Sequence, residues 1–314
     1  MNIKKYIFSL LNCVLIFLLS GCNCVFVKEG TKLKYTVENN WVQGYQGQWV
    51  NVTGIALDSK SNIYAAGGKD EPILVFDKNG KFINSWGKDF IKGKHGLRIY
   101  NDKAWITDIE SHQVFECTLD GKVIRTFGKA FKPGLGNYEF NKPTDVAIAA
   151  NGDIYITDGY GNSRIMCFDA KGNFKFSWGT NGNGSAQFLH PHNIVIDKQN
   201  RIYVADRGNF RIQVFDLNGK YITQWTNAGQ PYGLFYCGDR KKEKLFVTDG
   251  NANGDHRVLV KDTNGKIISQ FGHKGPEQGM FETPHSVTVD KQQNIYIAEA
   301  AGKRIQKFIL AKDN

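Results

Sequence analysis

An internal repeat constrains this chain more than any other feature. From residue 49 onward, one unit of roughly 40–50 residues recurs, the period of propeller blades. It reads as an apolar strand, an Asp-containing turn, "IYxxD", a polar loop, "RIxxFD", an "NGK" turn and a strand ending in Trp-Gly or Phe-Gly. The clearest copies are residues 140–180 and 188–226; weaker ones span 49–87, 92–128, 230–272 and 281–310. Each holds four β-branched and aromatic runs with turn residues between them, which predicts a four-stranded meander. Six such sheets arranged radially make an all-β, six-bladed β-propeller. The last copy stops at "RIQKFIL", after its third strand. "LKYTVENNW", Leu33 to Trp41, matches the missing fourth strand, so the N-terminus is expected to close the ring and hide the last sheet edge. The propeller then occupies residues 33–314.

Composition agrees with many turns and a sizeable core: 34 glycines, 7 prolines and 41% hydrophobic residues. The formal charge is +10, which raises nucleic acid as a partner. The basic residues are scattered through turns, however. The one tight run, Arg240-Lys241-Lys242, falls in an apparent hairpin turn, so no nucleic-acid partner is expected. Of the six cysteines, Cys13, Cys22 and Cys24 crowd the N-terminus, while Cys117, Cys167 and Cys237 lie far apart. No CxxC pair occurs, and no disulfide can be assigned.

The first residues form a separate segment. "MNIKKY" is basic, and "IFSLLNCVLIFLL" is apolar but short for a membrane span. "LSGC", ending at Cys22, resembles the lipobox of bacterial lipoproteins. That resemblance implies removal of residues 1–21 as a signal peptide, lipidation of Cys22 and a tether over residues 22–32. The propeller is then expected outside the cytoplasm, held at the bacterial cell envelope by its N-terminal lipid and monomeric.

The residues that open the innermost strand of each blade break the repeat. The six stretches are "VTGI", "KHGL", "PTDV", "PHNI", "PYGL" and "PHSV". Their second positions are Thr53, His95, Thr144, His192, Tyr232 and His285. Three of the seven histidines therefore share one position in alternate blades. Of all ways to pick three blades from six, about one in ten alternates. Such residues form a triangle around the axis. Three imidazoles with an open fourth position match a catalytic zinc site, although histidine ligands alone admit other divalent ions. His190, His112, His256 and His273 do not share the position and read as structural or surface residues. Because strands alternate in direction, the loops after "IYITD" and "IYVAD" overlook the triangle. Those loops carry Tyr160, a candidate general base if a metal or arginine lowers its pKa, and Arg207, a candidate carboxylate clamp.

The units resemble NHL repeats, whose "D-x-x-N-x-R-I" run is carried by Asp158, Asn162 and Arg164 and again by Asp206, Asn209 and Arg211. Those side chains are expected to tie blades and loops together. The longer stretches "HGL" with "WITDIESHQVF", "KPTDVAIA" with "ITDGYGNSRI", "PHNIVID" with "VADRGNFRIQVF" and "PHSVTVD" resemble the peptidyl-α-hydroxyglycine α-amidating lyases. The resemblance implies zinc held by His95, His192 and His285, a catalytic Tyr160 and an active-site Arg207. It also implies cleavage of N-acyl-α-hydroxyglycines, small or peptidyl substrates with a carboxylate, to an amide and glyoxylate. This chain departs from the family at four places, one of them Gly161, where the family has a half-cystine after the catalytic tyrosine. Blade one has "AAGGKD" where the family has a second arginine, Lys69 being the nearest cation. Ser286 replaces an aspartate that binds calcium, so calcium is not expected. Thr283 replaces a methionine. The competing expectation is a non-enzymatic NHL propeller that presents a binding face.

Overall fold

The computed structural model describes residues 33–239, 242–251 and 254–311. The expected signal peptide, lipidated Cys22 and tether fall outside them, as do Arg240 and Lys241. Six four-stranded antiparallel sheets surround one axis. The first strands are Trp49–Leu57, Lys94–Tyr100, Asp145–Ile148, Pro191–Ile196, Pro231–Asp239 and Pro284–Val289 for blades one to six. Among the described residues the only helix is a 3-10 turn, Arg207–Asn209. None is long and apolar enough to cross a membrane.

The ring closes as the truncated last repeat requires. Tyr35–Glu38 pairs antiparallel with Arg304–Leu310, in register Tyr35↔Leu310 to Glu38↔Lys307, and supplies the fourth strand of blade six. The strand is shorter than the Leu33–Trp41 stretch. Trp41 lies beyond it and packs instead on blade one, where a Cβ on Gly80 would sit in its backbone. The same device recurs between blades. Trp86 covers Gly121 and Trp178 covers Gly219, each glycine held at positive φ in the outer hairpin of the next blade. A side chain there would be strained and would strike the indole. The aromatic ends of the repeats are therefore blade-to-blade packing. Apolar clusters fill each blade interface, such as Trp105, Phe127, Val146, Ile156 and Phe168 between blades two and three.

The Asp and Arg residues of the repeat act as expected. Arg164 donates to Asp158 at 2.9 Å and to the carbonyls of Leu135, Gly136 and Glu139 in the incoming linker. Arg211 does the same with Asp206 and the carbonyls of Asn183, Gly184 and Gln187. These pairs are buried, and removing one partner strands the other charge at a cost of about 3–5 kcal/mol. They fix the inter-blade linkers, which sit at the same end of the axis as the loops after the second strands. Cys117, Cys167 and Cys237 are free thiols.

Candidate metal centre

Blade approach at the axis is close. A Cβ on Gly96, beside His95, would meet the Thr144 carbonyl of the next blade at 2.6 Å. This proximity lets each even blade bond to the odd blade that follows. His95 Nδ1 lies 2.7 Å from Thr144 O, His192 Nδ1 2.7 Å from Tyr232 O, and His285 Nδ1 2.7 Å from Thr53 O. A carbonyl can only accept, so each Nδ1 carries the proton and each neutral ring turns a bare Nε2 outward. The second positions of all six blades are thus used: histidine side chains from three, backbone carbonyls from the others.

The three rings converge. Their centroids are 4.7–5.0 Å apart, and one ring nitrogen from each lies within 4.8 Å of the others. All three residues are buried. Burial, with Arg207 adding to it, holds His95 down at about 4 and both His192 and His285 well below the ordinary histidine value. Three neutral imidazoles therefore aim lone pairs at one place.

Among the described residues, one proton donor faces two of them. Tyr160 Oη sits 2.9 Å from His95 Nε2 and 3.0 Å from His192 Nε2, and a phenol can donate to only one at a time. Three converging acceptors with one phenol beside two of them suit a cation, and carbonyl-bonded Nδ1 atoms are the usual support of metal-ligating histidines. No other cluster of three His, Cys, Asp or Glu side chains among the described residues has this proximity. Burial raises the Tyr160 phenol above its usual value, and Arg207 opposes that rise, its Nη1 3.3 Å from the phenol oxygen. Tyr160 is therefore a neutral phenol in the metal-free protein, and the arginine alone does not bring its pKa down.

The structure brings His95, His192, His285, Tyr160 and Arg207 together. It adds two residues that the repeat alignment did not single out. Tyr232 joins Tyr160 against Arg207, whose guanidinium lies 4.8 Å from the Tyr232 ring and 5.2 Å from the Tyr160 ring. Its ring also contacts His192 and His285. His190 is half-buried, its ring 6.1 Å from Tyr160, and its carbonyl accepts the Arg207 N–H at 3.3 Å. It belongs to the rim of this site and not to a remote surface. Lys69 is exposed, and its backbone N–H bonds Gln48 O.

Fold and site together define a six-bladed NHL-type propeller with a buried three-histidine centre at one end of its axis. A family described as a six-bladed beta-propeller matches residues 139–232. The chain is 30% identical over 275 residues to mouse NHL repeat-containing protein 3, covering 81% of this chain and 78% of that one. It is 33% identical over 266 residues to Drosophila melanogaster peptidyl-alpha-hydroxyglycine alpha-amidating lyase 1, covering 77% of this chain. It spans about half, 49%, of that lyase's length. The fold also matches a gluconolactonase from Xanthomonas campestris, with a TM-score of 0.65, 14% identity and coverage of 93% and 96%. The chain belongs to the NHL repeat-containing family of propellers, with amidating lyases among its relatives.

Proposed function

We propose that this chain is a metal-dependent carbon–nitrogen lyase that splits N-acyl-α-hydroxyglycines into a primary amide and glyoxylate. The observation that carries the reading is the convergence of three bare Nε2 atoms beside one buried phenol, which an arginine flanks. His95, His192 and His285 would hold the ion, with zinc the first candidate for a three-histidine site. When bound, a divalent ion supplies Lewis acidity at the substrate's α-hydroxyl and favours its ionisation.

The protein's own groups do the rest. Arg207, packed against Tyr160 and Tyr232, presents its guanidinium to the substrate carboxylate and orients the α-carbon. Tyr160 Oη, which a bound cation beside it would help Arg207 hold as phenolate, takes the α-hydroxyl proton. The O–H electron pair becomes the new C=O of glyoxylate, the C–N bond breaks, and its electrons go to the amide nitrogen. The phenol returns the proton to that nitrogen, so no other reactant is consumed. Burial of the ring limits competing water.

Incubation of the purified, zinc-loaded chain with α-hydroxyhippurate tests the reaction: benzamide and glyoxylate should appear in equal amounts. Metal binding without glyoxylate would remove the reaction and leave the site. A second reading, a non-catalytic binding propeller, draws on mouse NHL repeat-containing protein 3, a relative named for its repeats alone, of which this chain covers 78%. It requires neither stoichiometric metal nor glyoxylate. The proposal places the chain at the bacterial cell envelope as a monomer anchored through Cys22; loss of lipid labelling in Cys22→Ser tests the anchor.

A further inference from the structure

One charged side chain crosses the axis just beneath the histidines. Arg98 follows His95 by three residues on the innermost strand of blade two. Its guanidinium reaches across to three other blades. Nε and Nη2 donate to the Asp145 carboxylate of blade three, the shortest contact 2.6 Å. Nη2 also donates to Asn193 Oδ1 at 2.6 Å and to Ile194 O at 3.3 Å in blade four. Nη1 donates to Leu234 O at 3.2 Å in blade five. The acceptors are themselves fixed: Ile194 N donates to Asp145, and Leu234 N donates to Asn193.

Every one of these acceptors lies one or two residues past the ring positions. Asp145 follows Thr144, whose carbonyl holds His95. Asn193 and Ile194 follow His192. Leu234 lies two past Tyr232, whose carbonyl holds His192. At about 3.3 Å per residue along a strand, the guanidinium sits one layer below the imidazoles. On its far side is a cavity of about 190 Å³ lined by Arg98 and by apolar residues such as Val146, Ile148, Ile196 and Phe235. Arg98 thus separates the polar chamber from an apolar funnel at the opposite end of the axis.

We propose that Arg98 is a positioning residue: its guanidinium is a tethered cation that floors the metal chamber and locks the histidine-bearing strands of blades two and four against their neighbours. The inference rests on the three-histidine ring being a metal site, and not on which reaction the site performs. Its acceptors are all oxygens, two of them from a buried carboxylate, so the site demands a cation of guanidinium shape. Cutting the side chain back vacates that site without touching a metal ligand.

The test uses the full chain and reads zinc affinity by competition with a chelator. Arg98→Ala should bind zinc at least ten-fold more weakly than wild type, the range found when groups supporting metal-ligating histidines are removed. Guanidinium chloride at about 10 mM should restore most of that affinity and raise the melting temperature, whereas equal sodium chloride should not. Arg98→Lys keeps the charge but loses the planar fork, and should bind zinc several-fold more weakly than wild type. Wild-type zinc affinity in a folded Arg98→Ala, or equal rescue by sodium chloride, overturns the proposal. If Arg98→Ala does not fold, Arg98→Lys decides: zinc affinity equal to wild type overturns it. Absence of zinc binding by wild type overturns the metal site instead, so the two failures are distinct.

Discussion

Acid should unfold the metal-free protein through its three ring histidines, and burial sets the size of the effect. Each imidazole is neutral in the fold, with Nδ1–H committed to a carbonyl. Burial holds His95 at about 4 and the other two well below their ordinary value. In the unfolded chain each titrates near 6.5. Between those values the unfolded state binds protons that the folded state refuses. Stability is therefore complete above about pH 7 and is lost as the pH falls toward the folded value. At about pH 5 the linkage amounts to about 2 kcal/mol for His95, and His192 and His285 add to it in the same direction. Other groups act in the opposite sense. Burial raises Asp158, Asp206, Asp249 and Glu299, which gain stability on protonation, so the raw pH curve is a mixture. A difference between two proteins removes that mixture. Urea denaturation of chelator-treated wild type and His95→Gln at pH 7.5 and pH 5 should show the stability gap shifting by about 2 kcal/mol in favour of the variant at low pH. A gap that does not move with pH would refute the buried, neutral assignment of His95.

Other outcomes follow from the same geometry. The purified chain should carry about one zinc, and His95→Ala should lose it, as metal analysis after gel filtration will show. Tyr160→Phe should keep the metal while lowering kcat by about 10²–10⁴-fold in a glyoxylate assay, the usual worth of a proton-transfer group. Arg207→Ala should raise KM for α-hydroxyhippurate more than for an analogue lacking the carboxylate, a comparison that initial rates supply. Trp41→Ala should cost about 3–5 kcal/mol, since the buried indole joins the N-terminal segment to blade one; thermal melting measures it.

Much of this was legible in the sequence because repeats convert spacing into angle. Residues at one repeat position must lie at one height around the axis, so His95, His192 and His285 could be placed together without any contact being known. Loop positions carried Tyr160 and Arg207 for the same reason. What the pattern could not carry was side-chain direction across the axis. Arg98 sits in "HGLRIY" like any strand residue, yet its partners are 47, 95 and 136 residues away. Tyr232 occupies a ring position but contributes a carbonyl to His192 and a face to Arg207, and a residue name does not reveal a backbone contribution. His190 reaches the rim because its backbone takes a left-handed turn, φ 57°, which no periodicity announces.

The bonds between histidines and carbonyls carry a rule of parity. Around the axis, each blade either gives a ring proton or receives one, and the two roles strictly take turns. Such an order closes on itself only when the number of blades is even. A propeller that gained or lost a single repeat by unequal crossing-over would still stack its sheets, but somewhere two givers or two receivers would become neighbours. The centre would be broken while the fold survived. The alternation of givers and receivers therefore ties this centre to an even ring, and its three-fold triangle ties it to six blades.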